Sequence, residues 1–574
     1  VLAKRKGLAR GNSFPPCTEE DAFLSSVGFC FLCFLLSGVI GGLFPPIVGV
    51  IRGRSPLIVI VDKILDRKIK IIQGRGKMSK KNYLVFDFGA SNGRTIVATF
   101  DGEKVTTEVT HRFEHGPVYI TGTLYWDILY LFSELMNGLQ VSLSQYPDIS
   151  SLAIDTWGCD FGFLDEQGKL VANPVTYRDK NRISRSSLLY EVLPQRELFE
   201  LSAGATTEIM GIFQLFSFQY DNSLEIRSGR KMLMIPDLLN YFLTGRICNE
   251  YTNATMTLLC NQYERTWERK ILDRLGISSS ILNELIMPGD QVGVIQEDIR
   301  EQWGVGPLCV IAPATHDTAS AVAGIPVTDS QKPWAFISLG TWAIMGLETL
   351  RPIVTDAVFT SGYGNNAIPE GRNMLVKYIA ALWIIQQCRN RWRNEYQRNL
   401  SWDEIVTASE EAGSSKAYID VDDPLFGQPQ ADMPGVIQEY CKQKGQEVPH
   451  SLGEVSRCFY ESLVLKFRYN LELLEKISDK HLELLHIVGG GSQNKTLCQW
   501  IADATGIPVV AGPAETTSMG NLIMQLKADG EIKNLEEGRE IVLRSSSVEQ
   551  YEPGDKSYWN DAYEKYLRLF SLCS

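Results

Sequence analysis

The sequence predicts an α/β protein built from two related domains that face a common cleft. Two observations carry this expectation. Strand-like and helix-like segments alternate through most of the chain. A strand, a tight glycine-containing turn and a second strand also occur twice, as LVFDFGASNGRTIVATF (84–100) and WAFISLGTWAIMGLE (334–348). A chain of 574 residues has room for two such domains.

The first 77 residues read differently from the rest. They hold 12 Lys/Arg against 5 Asp/Glu, while the whole chain has a net charge of -12. FLSSVGFCFLCFLLSGVIGGLF (23–44) is long and apolar enough to cross a bilayer, with basic residues before it, as in a signal anchor. Met78, followed by SKKNYLVFDFGA, has the form of an ordinary start immediately before a first strand. Residues 1–77 are therefore expected to lie outside the folded enzyme, as an upstream region or an alternative start. If the segment is real, it reads as a membrane anchor.

From Tyr83 onward the elements follow in order. YLVFDF and TIVATF form a hairpin, and KVTTEVTHRF supplies a third strand. Trp126 to Gln145 reads as a helix with Asp127 in its first turn. SLAIDT and FGFLD are strands around Asp155 and Asp160. LCVIAPA (308–314) is a buried strand, and HDTASAVAG (316–324) opens a helix. GIPVTDSQKP supplies linker residues, giving domains 78–328 and 329–574. The second half repeats the plan. After its hairpin come a long amphipathic helix (454–477), the strand and loop LLHIVGGG, a helix from Lys495, the strand IPVVAG and a helix from Ser518.

Composition excludes some functions. An acidic chain is a poor partner for nucleic acid. Twelve cysteines include one CxxC pair, Cys30/Cys33, with no second pair, so neither a zinc site nor a disulfide framework is expected. Reduced cytoplasmic thiols fit better.

The chemistry is expected at the glycine turns. Ala90, Ser91, Asn92, Gly93 and Arg94 suit a phosphate cradle, with small residues around a cation. Asp87 beside phosphates requires a divalent metal between them. A plain hairpin with a solvated aspartate reads the same way. Gly340 and Thr341 offer a facing cradle, and VGGGSQN (488–494) leaves a strand for a helix. Together these loops suggest one nucleotide between two domains. In APATHDTASAVAG, Asp317 lies where a helix start keeps a carboxylate ionised, either as a structural cap or as a base that accepts a hydroxyl proton. DTWGCDF offers Asp155, Trp157, Gly158 and Asp160 to a sugar, carboxylates for hydroxyls and an aromatic wall for C–H faces.

DFGASNGR, DTWGCDF, YRD (177–179), PDLLNYFLTG (236–245), EYTNATMTLL (250–259), HDTASAV, SLGTWAIMG, EGR (370–372), LWIIQ (382–386) and VGGGSQN fall in the order of the FGGY carbohydrate kinases. Over residues 82 to 565 the chain resembles that family, and within it the bacterial rhamnulokinases. The resemblance implies two actin-like, ribonuclease-H-like lobes with ATP and Mg²⁺ between them, and phosphorylation of the 1-hydroxyl of L-rhamnulose. It implies Asp317 as general base, with Gly158, His316 and Thr318 at the sugar. It assigns Thr341, Gln386 and Gly490 or Gly491 to the nucleotide. Three departures bear on the sugar and the loops. Tyr378 stands where the pattern has Asn, GIFQLFSFQ (211–219) fits poorly, and Leu339 replaces a small residue. L-Fuculose and other ketoses are thus rival substrates, and an actin-like ATPase with no sugar site is the remote alternative.

Overall fold

The computed structural model describes residues 80–572 except 328, 330 and 429. The expectations for residues 1–77 fall outside the described residues. Met78–Ser574 forms one compact unit, within which two sheets define two lobes.

The N-terminal lobe is laid down by β1 (Lys81–Phe88), β2 (Asn92–Phe100), β3 (Val105–Glu114), α1 (Ile128–Gln145), β4 (Ile149–Thr156), β5 (Cys309–Ile311) and α2 (Asp317–Ala323). β1, β2 and β3 form an antiparallel meander. β4 then joins β1 in parallel and β5 joins β4 in parallel. The central strand β1 is buried from Tyr83 to Phe88, as a strand covered on both faces must be. Its period of two divides the cover. Leu84, Phe86 and Phe88 pack with Leu131, Leu135 and Leu139 of α1. Tyr83 and Val85 point the other way, onto Met519, Leu522, Ile523 and Leu526. The second face of this sheet is therefore closed by the far end of the chain.

The C-terminal lobe repeats the plan with β6 (Trp334–Leu339), β7 (Trp342–Thr349), β8 (Arg372–Ala380), α3 (Leu382–Tyr396), α4 (Leu452–Ser478), β9 (Leu484–Val488), α5 (Lys495–Thr505), β10 (Val509–Ala511), α6 (Thr516–Ala528) and α7 (Leu535–Ser545). β6, β7 and β8 are antiparallel, and β9 and β10 extend the sheet in parallel from β6. Ser451 and Glu454 form a capping box at the start of α4, fixing where that helix begins.

Some boundaries differ from the sequence expectation. α1 starts at Ile128, because Asp127 is its cap and accepts from the Tyr130 N–H at 3.1 Å. LCVIAPA pairs only over Cys309–Ile311, and the helix expected from Ser518 begins at Thr516.

The two lobes meet along α2 and α6. A Cβ on Gly520 would lie 1.8 Å from the Ser320 carbonyl oxygen, and one on Gly324 would lie 2.2 Å from that of Thr516. Only glycine permits this approach of backbones. Arg539 of α7 closes the other end of α2, donating to the carbonyls of Val322 at 3.0 Å and Ala323 at 3.4 Å. Among the described residues no helix is long and apolar enough to cross a membrane.

Candidate active site

Three neighbouring strands deliver three carboxylates to one edge of the N-terminal sheet. Asp87 and Asp155 sit side by side near the ends of the parallel strands β1 and β4. After β5, the Thr156 N–H donates to the Thr315 carbonyl at 2.9 Å, and His316 bridges to Thr156. That registers Asp317 to the same edge, outside the carboxyl ends of the strands, where open α/β sheets place their ligands. Burial, and then the charge of Asp87, raise Asp155 well above the ordinary carboxylate range. The same two causes push Asp317 up to about 7, against bonds from Thr318. The Asp317 side chain keeps 33% of its surface open, so it can be reached from solvent.

Asp317 is the first residue of α2 and does not cap it; the cap position is His316, with no side-chain capping bond. Asp317 Oδ1 accepts from the Thr318 N–H at 2.6 Å and the Thr318 hydroxyl at 3.2 Å. Its Oδ2 receives no hydrogen bond among the described residues.

Glu250 fixes the segment before Asp317. This fully buried carboxylate accepts from the N–H and hydroxyl of Thr315 at 2.9 and 2.8 Å, and from Thr252 and Asn253. Asn253 Nδ2 in turn donates to the Thr315 carbonyl at 3.2 Å. EYTN showed no role in the sequence beyond a family pattern, because its partner lies 65 residues away.

The first glycine turn is arranged differently from expectation. Arg94 is not a free cation. It faces Asp87 across the hairpin register, bonds it at 2.7 and 3.1 Å, and also pairs with Glu515 of the other lobe. Gly93 serves packing, since a Cβ there would lie 2.3 Å from the Phe113 ring. Ser91 and Asn92 are exposed, and Ala90 is half-buried beside them. His115 braces the turn by a 2.7 Å bond to the Gly89 carbonyl.

In the C-terminal lobe two loops abut. The Gly340 and Thr341 carbonyls accept from the N–H groups of Leu382 and Trp383 at 3.3 and 3.1 Å, fastening α3 to the turn. Gln386, on the next turn of α3, bonds Asn390 at 3.1 Å. Leu339 occupies the space a Cβ on Gly491 would need, at 2.3 Å, whereas nothing lies near Gly490. The larger residue at 339 and the glycine at 491 thus complement each other, leaving Gly490 as the open position.

Around DTWGCDF the structure separates the residues. Asp160 is not available to a ligand. It is fully buried, paired with Arg182 at 3.0 Å, and accepts from the indoles of Trp126 and Trp157 at 2.7 and 3.0 Å. Asp155 likewise faces the other acids, accepting from Asn521 at 2.6 Å. Trp157 is buried between Trp126 and His115. Gly158 is packed closely, since a Cβ there would lie 2.8 Å from the Met256 side chain and 3.2 Å from the His316 ring. The following residue, Cys159, has φ +77, an uncommon strained value for a side-chain-bearing residue. Burial lowers His316 to about 3, so its ring is neutral, and its buried Nδ1 has no partner among the described residues. Thr318 is buried against Asp317. From β8, the Tyr378 hydroxyl accepts from Asn366 at 2.8 Å and lies close enough to Asp317 to feel its charge.

No group of three or more His, Cys, Asp or Glu side chains among the described residues is placed to hold a metal alone. The donor set nonetheless fits Mg²⁺, which commonly takes one or two carboxylates and completes its shell with phosphate and water. Asp155 Oδ1, buried and without a hydrogen-bond partner among the described residues, is one such donor beside Asp87.

Residues 82–324 match the profile of the FGGY family of carbohydrate kinases, N-terminal domain, and residues 335–528 match that of its C-terminal domain. A rhamnulokinase of Bacteroides thetaiotaomicron is 34% identical over 484 residues, spanning 84% of this chain and 98% of that protein. One from Halalkalibacterium halodurans is 35% identical, spanning 83% and 100%. A xylulose kinase structure from Lactobacillus acidophilus superposes with a TM-score of 0.70 at 15% identity, covering 86% of this chain and 97% of that one. Plasmodium falciparum glycerol kinase with ADP gives a TM-score of 0.64 at 16% identity, covering 85% and 98%. The shared two-lobed fold, the paired family matches and these relatives lead to one conclusion: the chain belongs to the FGGY family of carbohydrate kinases.

Proposed function

We propose that this kinase moves the γ-phosphoryl group of ATP to the 1-hydroxyl of a 6-deoxyketohexose, L-rhamnulose first among candidates. The observation that carries the chemistry is Asp317, a solvent-reachable carboxylate titrating at about 7 with one oxygen held by Thr318. The sugar assignment is supported by the rhamnulokinase relatives.

In this reading, residues 78–328 hold the sugar and residues 329–574 the nucleotide, and the enzyme works in the cytoplasm. The backbone of Gly158, backed by Met256 and His316, borders the ketose, His316 meets it through Nδ1, and Thr318 and Trp157 complete the wall. Asp317 Oδ2 accepts the proton of the 1-hydroxyl as that oxygen bonds the γ-phosphorus and the bridge to ADP breaks. Amides of Ala90 to Gly93, together with Gly340, Thr341 and Gly490, cradle the phosphates, and Gln386 lies toward the base. Arg94 acts through Asp87, holding that carboxylate in place. Mg²⁺, when bound, neutralises phosphate charge; Asp87 and Asp155 would hold it. Closure of the lobes excludes water and aligns the reacting atoms.

L-Fuculose is the rival sugar, since Tyr378 stands where the rhamnulokinase pattern has Asn. Tyr378 brings a hydroxyl near Asp317 from the C-terminal lobe, and a few pocket hydrogen bonds decide between ketoses that differ only in hydroxyl configuration. A coupled ADP-release assay across L-rhamnulose, L-fuculose, L-xylulose, D-xylulose and glycerol decides it. The highest kcat/KM is expected for L-rhamnulose, and turnover unaffected by any ketose would defeat the kinase reading of the site. Asp87→Ala is expected to weaken activity and raise the Mg²⁺ needed for half-maximal rate; an unchanged Mg²⁺ dependence would remove Asp87 from the metal.

A further inference from the structure

The acids of the N-terminal lobe are gripped from the C-terminal lobe by one face of α6. Glu515, Ser518, Asn521 and Gln525 recur at helical spacing on that face. Glu515 pairs with Arg94, and the Ser518 hydroxyl donates to Asp87 Oδ2 at 3.1 Å. Asn521 Nδ2 donates to Asp155 Oδ2 at 2.6 Å and to the Ala153 carbonyl at 3.3 Å. The orientation of the Asn521 amide is fixed from behind. Its Oδ1 accepts from Gln525 Nε2 at 3.0 Å. Gln525 is itself locked, donating to the Leu84 carbonyl at 3.0 Å and accepting from the Ser151 hydroxyl at 2.7 Å. Asp155, Asn521 and Gln525 have no solvent exposure. Leaving any of these groups unpaired would be costly, so the chain Ser151–Gln525–Asn521–Asp155 holds one arrangement.

This arrangement has a consequence for the reaction. Asp155 Oδ2 is occupied by the opposite lobe, while Oδ1, the oxygen without a partner, stays free beside Asp87. We propose that Asn521 is a positioning residue of the phosphoryl transfer: from the C-terminal lobe it holds Asp155 Oδ2 and thereby presents Oδ1 to the reaction centre. The proposal rests on the kinase reading of the site. Asn521 touches neither substrate nor nucleotide and acts only through Asp155.

The test uses Asn521→Leu, Asn521→Ser and the exchange Asp155→Asn with Asn521→Asp. The exchange keeps a hydrogen bond between the two positions but moves the charge onto α6. Asn521→Leu is expected to lower kcat at least ~10-fold, with metal-free ADP binding unchanged within ~2-fold. It is also expected to weaken Mn²⁺ binding in the presence of ADP, read by electron paramagnetic resonance, by at least ~5-fold. The exchange variant is expected to melt within a few degrees of the wild type yet keep the low kcat and weak Mn²⁺ binding. Recovery of both in the exchange, which lacks the Asp155 carboxylate, would show that neither depends on an oxygen of Asp155 held in place from Asn521, and that result overturns the proposal. So does Asn521→Leu with wild-type kcat and Mn²⁺ binding. If Asn521→Leu fails to fold, Asn521→Ser and the exchange variant decide by the same readouts. Failure of the kinase reading is a separate result, seen as a wild type that no ketose accelerates, and the Mn²⁺ measurements still judge Asn521 in that case.

Discussion

Asp317→Asn is expected to remain folded, to bind ATP, and to lose at least ~10² in kcat. The amide has the shape of the carboxylate, and its oxygen can still accept the two bonds from Thr318. What it cannot do is take a proton at the free position. The pH dependence gives a second check. A base must be deprotonated to act, and Asp317 titrates at about 7, so wild-type kcat/KM rises with pH through a midpoint near 7. Below that midpoint the carboxyl is protonated and activity falls. The residual activity of Asp317→Asn should lack this limb. A variant with near-normal turnover, or one that retains the limb, removes Asp317 as the base.

Arg182→Leu is expected to cost about 3–5 kcal/mol of stability, read by equilibrium denaturation with tryptophan fluorescence, because it leaves the charge of Asp160 buried without its counter-ion. Arg182 and Asp160 are both completely buried, and two indole N–H groups remain as the only side-chain donors to Asp160 among the described residues. Burial alone already pushes Asp160 up, with Arg182 the main force pulling it back. Replacing both partners, as Asp160→Asn with Arg182→Leu, should recover much of the loss. A single variant as stable as the wild type would mean that this pair does not hold the DTWGCDF segment in place.

The hairpins, the central strands and the long helix were legible because each is fixed by local periodicity. Asp317 was legible as a candidate because a buried strand, an acid and small helix formers are adjacent in sequence. Residues whose meaning depends on distant partners were not. Asp160 looks like a carboxylate offered to a sugar until Trp126, 34 residues before it, and Arg182, 22 after it, are brought against it. Arg94 looks like a phosphate cation until the hairpin register sets it opposite Asp87. Gly93 and Gly491 were read as places for an anion, yet their missing side chains make room for Phe113 and Leu339. Ser518 and Asn521 gave no signal at all, since their partners lie 431 and 366 residues earlier.

The contact between α2 and α6 has a practical corollary for recombination. The segment 325–333 looks like the natural crossover for a chimaera of two relatives. A graft made there would hand the front half its carboxylates but swap out Ser518, Asn521, Gln525 and the glycine that lets α6 nestle against Ser320. The heritable module is thus discontinuous, and an exchange that keeps residues 515–525 with the N-terminal half should survive where a clean cut at the linker does not.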